Sequence, residues 1–169
     1  MIYLFPICHP DTAWPEPVSG RNDPLQLITR GNNCCNKGDL QNAAVFWKKA
    51  LSLLDSETYS DTCLEITLHL ASAFQTMGYH RKSLSLLQKM LPVVGKSNTP
   101  YPKALFFNAI GDLHLSLGNT EKAADYLLKG VEHARKSKNP RALIMLLNNI
   151  GNGLSADRNY AGALDLYDQ

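Results

Sequence analysis

The sequence predicts an all-α fold, an α-solenoid of stacked helical hairpins, on three observations. First, a pattern recurs every 40 residues, marked by Gly38, Gly78, Gly118 and Arg158. Second, small residues flank each mark. Gly31, Ala71, Gly111 and Gly151 stand seven residues before it, and Ala43, Ser83, Ala123 and Ala163 five after. Third, the stripes have helical spacing (i, i+4, i+7), and strand alternation is sustained nowhere. Repeats of this length are the signature of solenoid architectures.

The small columns have a mechanical reason. Two antiparallel helices approach closely only where neither carries a large side chain. The glycine between the columns suits a helix C-cap, because it accepts a left-handed conformation at little cost. The first hairpin, 24–56, has the stripe Leu27-Gly31-Cys34, a turn at Gly38, a side-chain cap at Asp39, and then Ala43, Trp47, Ala50 and Leu51; Asp55-Ser56 ends it. Arg30 occupies a column that is otherwise Leu70, Ile110 and Ile150, which suits a first repeat with no upstream neighbour. The second hairpin, 57–97, has Thr67-Ala71-Phe74, a turn at Gly78, and Ser83, Leu87, Met90 and Leu91. Tyr79 is an unclear cap, and Pro92 is expected to end this hairpin early.

The third hairpin, 100–138, has Phe107-Gly111-His114, a turn at Gly118, a cap at Asn119, and Ala123, Leu127, Gly130 and Val131. The fourth, 140–169, opens on Asn139-Pro140, an N-cap followed by proline at the first helical position. It continues through Leu147-Gly151-Leu154 to a looser turn at Arg158, a cap at Asn159, and Ala163, Leu164 and Tyr167. The chain stops inside this last helix with no polar cap after it. A truncated array, with possible self-association through the uncapped end, is therefore expected. Residues 1–23, with Pro6, Pro10, Pro15 and Pro17, read as an irregular leader. The alternative is a segment that folds back onto the array through Trp14.

Composition narrows the function. The chain is 44% hydrophobic and 19% charged, with a net charge of +2 and no long run of Lys or Arg. That predicts no nucleic-acid surface, which usually shows as a basic stripe. No stretch approaches the ~18 apolar residues of a membrane span. The apolar opening lacks a basic n-region and is broken by Pro6, so it makes a poor signal peptide. A remnant of a longer apolar segment stays open as the alternative. Cys8, Cys34, Cys35 and Cys63 form no C-x-x-C pair and have no histidine partners at metal-ligand spacing. Neither metal nor cofactor is predicted, and the cysteine usage fits a reducing, cytoplasmic compartment. Cys63 and His69, six residues apart, face different sides of one helix, so no nucleophile–base pair is expected. His114 lies on a core stripe and is expected to be packed and hydrogen-bonded. No catalytic constellation is present, and the expectation is that the chain is not an enzyme.

The order small residue, turn glycine, alanine, large residue, small residue resembles the tetratricopeptide repeat (TPR) over roughly residues 24–169. The usual unit is about 34 residues. The longer spacing here is similar to the 40-residue form in kinesin light chains, cell-polarity adaptors and bacterial multi-repeat proteins, including those joined to CHAT peptidase domains. HEAT and armadillo arrays have comparable periods but do not explain the small columns. The resemblance implies a right-handed superhelix whose first helices line a concave groove.

The groove columns carry Asn32, Ser72, Asp112 and Asn152, and four residues earlier Ile28, Leu68, Asn108 and Asn148. Amides offer a donor and an acceptor and can pair twice with an extended backbone. The peptide-binding candidates are therefore Asn32, Ser72, Asn108, Asp112, Asn148 and Asn152, with a protein or extended peptide as partner. The competing reading is that these amides bridge neighbouring helices or stay wet. The groove columns contain no Lys or Arg, so a carboxylate clamp is not expected. The alternative function is a regulatory or sensor module of a larger enzyme or signalling protein, for example a CHAT-type peptidase, whose catalytic part is absent from this chain.

Overall fold

The computed structural model describes residues 23–157. Among them are seven helices and no strand: α1 (Pro24–Asn36), α2 (Leu40–Leu53), α3 (Ser60–Thr76), α4 (His80–Lys96), α5 (Pro100–Ser116), α6 (Thr120–Ser137) and α7 (Pro140–Asp157). The chain divides into two compact units, Met1–Leu54 and Asp55–Gln169. The expectations for the leader, the Arg158 turn, the Asn159 cap and the uncapped end fall outside the described residues.

Three turns share one geometry. Gly38, Gly78 and Gly118 have φ of +79°, +78° and +74°. In each turn the residue after the glycine donates its N–H five residues back: Asp39 to Cys34 O (2.9 Å), Tyr79 to Phe74 O (2.7 Å), Asn119 to His114 O (2.8 Å). Each glycine donates to the carbonyl three residues back. These paired bonds satisfy carbonyls that a helix end otherwise leaves open, and the left-handed residue between them makes them possible.

The starts of the helices vary more. Asp23 and Asp39 accept from Leu25 N and Asn42 N at 3.1 Å, and Asn139 accepts from Arg141 N at 3.0 Å. Asn119 makes no side-chain cap, contrary to expectation, and neither does Tyr79. Short side-chain bonds of this kind need a particular rotamer as well as the right residue type. Pro92 does not end the second hairpin; it sits inside α4, which runs on to Lys96. Proline removes one intrahelical bond. Buried Val93 and Val94, together with the Lys96–Glu57 ion pair, hold the turn beyond it.

In the first unit α1 and α2 pair at their small residues. A Cβ on Gly31 would lie 2.5 Å from Trp47 Nε1, so only glycine lets the indole seat there. Trp47, Ala43 and Ala50 are fully buried, whereas Arg30 is exposed with its guanidinium 4.3 Å from the centroid of the Phe46 ring.

In the second unit α3 pairs with α4, α5 with α6, and α7 packs on both α5 and α6. A Cβ on Gly111 would lie 2.7 Å from Leu127, and one on Gly130 2.5 Å from Leu146. Leu127 joins Ala104, Val131, Ala134, Ala142, Leu146 and Ile150 in one apolar cluster. The column of small residues after the turn admits Ser83 because its buried hydroxyl donates to Ala71 O at 2.9 Å, so no polar group is stranded.

Candidate functional site: a polar face on the first helices

Hydrophobic residues such as Leu64, Ile66, Leu70, Phe106, Ile110 and Leu146 take the buried positions of α3, α5 and α7. That fixes the rotation of each helix. It leaves Ser72 and Gln75 on α3, Asp112 on α5, and Asn148, Asn149 and Asn152 on α7 exposed or half-buried, with Asn108 of α5 buried beneath them.

Their environments differ. Asn148 and Asn152 are exposed, Ser72 and Asp112 are half-buried, and Asn108 is buried. Gln75 Nε2 donates to Asp112 Oδ2 at 3.4 Å, joining α3 to α5. Asn149 Nδ2 donates to Asn108 Oδ1 at 3.0 Å, joining α5 to α7. Burial pushes the Asp112 carboxyl above its ordinary value; the Gln75 hydrogen bond and the charge of His80 act in the opposite sense. A half-buried carboxylate with one long hydrogen bond retains lone pairs for a further donor.

The six sequence candidates therefore separate. Asn32, in the first unit, is engaged within its own hairpin: its Oδ1 accepts from Trp47 Nε1 at 3.0 Å. Asn108 bridges helices. Asn148 and Asn152 stay exposed, and Ser72 and Asp112 half-buried. Sequence reasoning missed Gln75 and Asn149. Each lies close along its helix to a candidate that was found, but neither falls in a repeating polar column. Leu115 and Ala109 occupy the corresponding positions in the third repeat.

His114 is packed as expected but not hydrogen-bonded. It is 3% exposed, and neither ring nitrogen has a hydrogen-bond partner among the described residues. Its ring stacks on Tyr126, with centroids 5.5 Å apart and planes 8° apart. Tyr126 stacks in turn on Phe107, and Phe107 on His133. Burial, and then the charge of Lys122, hold His114 below the ordinary imidazole value. Burial and neighbouring lysines do the same for His133.

No group of three or more His, Cys, Asp or Glu among the described residues is placed to hold a metal ion. Among the described residues Cys34, Cys35 and Cys63 are not joined in disulfides, and burial raises the Cys63 thiol. No described helix is long and apolar enough to cross a membrane.

No protein-family model and no curated protein matches the sequence. Solved structures do match. RapI in its apo form aligns with a TM-score of 0.77 at 19% identity, over 87% of this chain and 54% of that one. MamA aligns with a TM-score of 0.65 at 21% identity, over 87% of this chain and 75% of that one. The C-terminal TPR-containing domain of a putative FK506-binding protein from Plasmodium falciparum aligns with a TM-score of 0.57 at 17% identity, over 81% of this chain and 92% of that one. The chain thus spans about half the length of RapI. At these identities the likeness speaks to fold, and together with the helix pairing and the three glycine turns it makes this an all-α, TPR-like helical-repeat fold.

Proposed function

We propose that the chain is a protein-interaction module that holds an extended segment of a partner against the polar face of α3, α5 and α7. The observation that carries this reading is Asp112. A carboxylate held partly out of water, with Gln75 as its one hydrogen-bond donor among the described residues, is a poor choice for stability and a good one for a basic group on a ligand. Asn148 and Asn152 lie four residues apart on one face of α7, where exposed amides can each pair with a peptide group. Asn108, held by Asn149, positions this face rather than contacting the ligand alone. TPR-like structures among the matches support a general interaction module.

Panning a displayed library of unstructured peptides against the chain tests the proposal. Enriched peptides carry Lys or Arg. Asn152→Ala weakens their binding roughly fivefold or more, because the peptide groups it served are left unpaired. Ser85→Ala, on an exposed part of α4, leaves binding unchanged. Enrichment of acidic peptides, or affinity that survives Asn148→Ala/Asn152→Ala, places the ligand elsewhere.

A further inference from the structure

The second helices of the hairpins in the second unit carry a charge pattern that the polar face leaves unused. Lys82, Lys89 and Lys96 stand seven residues apart on α4. Lys122, Lys129 and Lys136 do the same on α6, each 40 residues after its counterpart. Seven residues is close to two helical turns, so each trio lies on one stripe with a spacing of about 10.5 Å. All six lysines are exposed. The buried residues Ser83, Leu87 and Val94 of α4 lie on the other side of that helix, whereas buried Val93 lies beside the line between Lys89 and Lys96; on α6 the buried Ala123, Leu127 and Ala134 all lie away from the lysines.

Of these six lysines only Lys96 makes an ion pair among the described residues, with Glu57. Lys82 Nζ lies 4.4 Å from the centroid of the Tyr79 ring, and Lys129 Nζ 5.5 Å from that of Tyr126. An aromatic face steers an ammonium without neutralising it. α4 also carries Arg81 and contains no Asp or Glu. Solvation favours the outward face of a helix for lysine, but not a single line within that face. Placing like charges on one stripe adds self-repulsion that a partner of opposite charge would relieve.

We infer that this face docks an acidic α-helix of a partner protein, laid along α4 with carboxylates at the same seven-residue spacing. A continuous polyanion fits worse. Duplex nucleic acid carries a charge every ~1.7 Å and would press phosphates against Glu121, Asp125 and Glu132, which lie beside the α6 stripe. Nor is Tyr126 a platform for bases, since His114 and Phe107 already stack on it. A bilayer fits worse too, because α4 exposes no large hydrophobic side chain. Discrete carboxylates meet the lysines and bypass the acidic stripe. The inference is independent of the proposed peptide face, which lies on other helices.

The test uses a fluorescent synthetic helix of three heptads with glutamate at every seventh position, titrated with the full chain. Controls are a scrambled peptide of the same composition, a single-stranded oligonucleotide and vesicles containing anionic lipid. The expected result is salt-sensitive binding of the heptad peptide, roughly tenfold tighter than the scrambled one. Lys82→Glu/Lys89→Glu removes that binding and Lys82→Gln/Lys89→Gln weakens it, both with unchanged helical circular dichroism. Equal affinity for the scrambled peptide, tighter binding of oligonucleotide or vesicles, no binding at all, or indifference to either double variant overturns the inference. So does a dimer of the chain that the charge reversal abolishes, since the face then serves a second copy.

Discussion

Gly111 offers the sharpest test of how the hairpins close. A Cβ there would sit 2.7 Å from both Cγ and Cδ2 of Leu127 and 3.4 Å from Ala123 O. Leu127 is 1% exposed and belongs to the cluster shared by α5, α6 and α7, so it cannot swing aside into solvent. Relief requires an off-rotamer leucine or separated helices, and overpacking of this kind costs about 1–3 kcal/mol. Alanine returns up to about 1 kcal/mol through its helix propensity. The expected net effect of Gly111→Ala is a loss of about 1–2 kcal/mol, a fall of roughly 2–8 °C in melting temperature for a chain of this size.

Gly95→Ala is the matched control. Gly95 is also helical and exposed, and its added Cβ meets nothing within 4 Å, so only the propensity gain of about 0.4–1 kcal/mol remains. The two substitutions are chemically identical and should differ in sign. Urea denaturation followed by circular dichroism at 222 nm reads both. A Gly111→Ala protein stabilised as much as the Gly95→Ala protein would refute the close approach of α5 and α6.

Two further predictions concern titration. The folded-state pKa of His114 is depressed, so its neutral form is the one folding favours; the stability it supports is full above the ordinary value of 6.5 and is lost as pH falls through that value. His114→Phe keeps the ring stack and removes two buried nitrogens without partners. It should therefore raise stability by about 1–3 kcal/mol and flatten the loss between pH 7 and 5 in thermal melts. An unchanged pH slope would place the titrating group elsewhere. For Asp112 the folded-state pKa is raised, so its contribution is present below the ordinary value of 3.8 and is lost as pH rises through the folded value. Asp112→Asn should accordingly melt higher than the parent at pH 7, with a gap that shrinks in acid, and should weaken binding of basic peptides. A variant that is less stable at pH 7 would show Asp112 to be a structural strut.

What the sequence determined by itself was the local grammar. The sign of φ at Gly38, Gly78 and Gly118, the proline-led start of α7, and the small residues at Gly31 and Gly111 each depend on a few neighbouring residues and a helical period. They are legible without knowing what lies opposite. What only the tertiary structure decided was the use of each polar group. Asn32 and Asn152 occupy the same repeat position, yet one is fastened to Trp47 and the other is exposed. Asn108 pairs with Asn149 rather than with its helical neighbour Asp112, and Asp112 looks across to Gln75. His114 was legible as packed but not as unpartnered, and Pro92 as a breaker but not as one that buried valines and an ion pair would overrule. Hydrogen bonds between helices depend on small differences in rotation and on the rotamer at each end. A residue type repeated every 40 positions constrains neither, because the partner across the gap changes from one hairpin to the next.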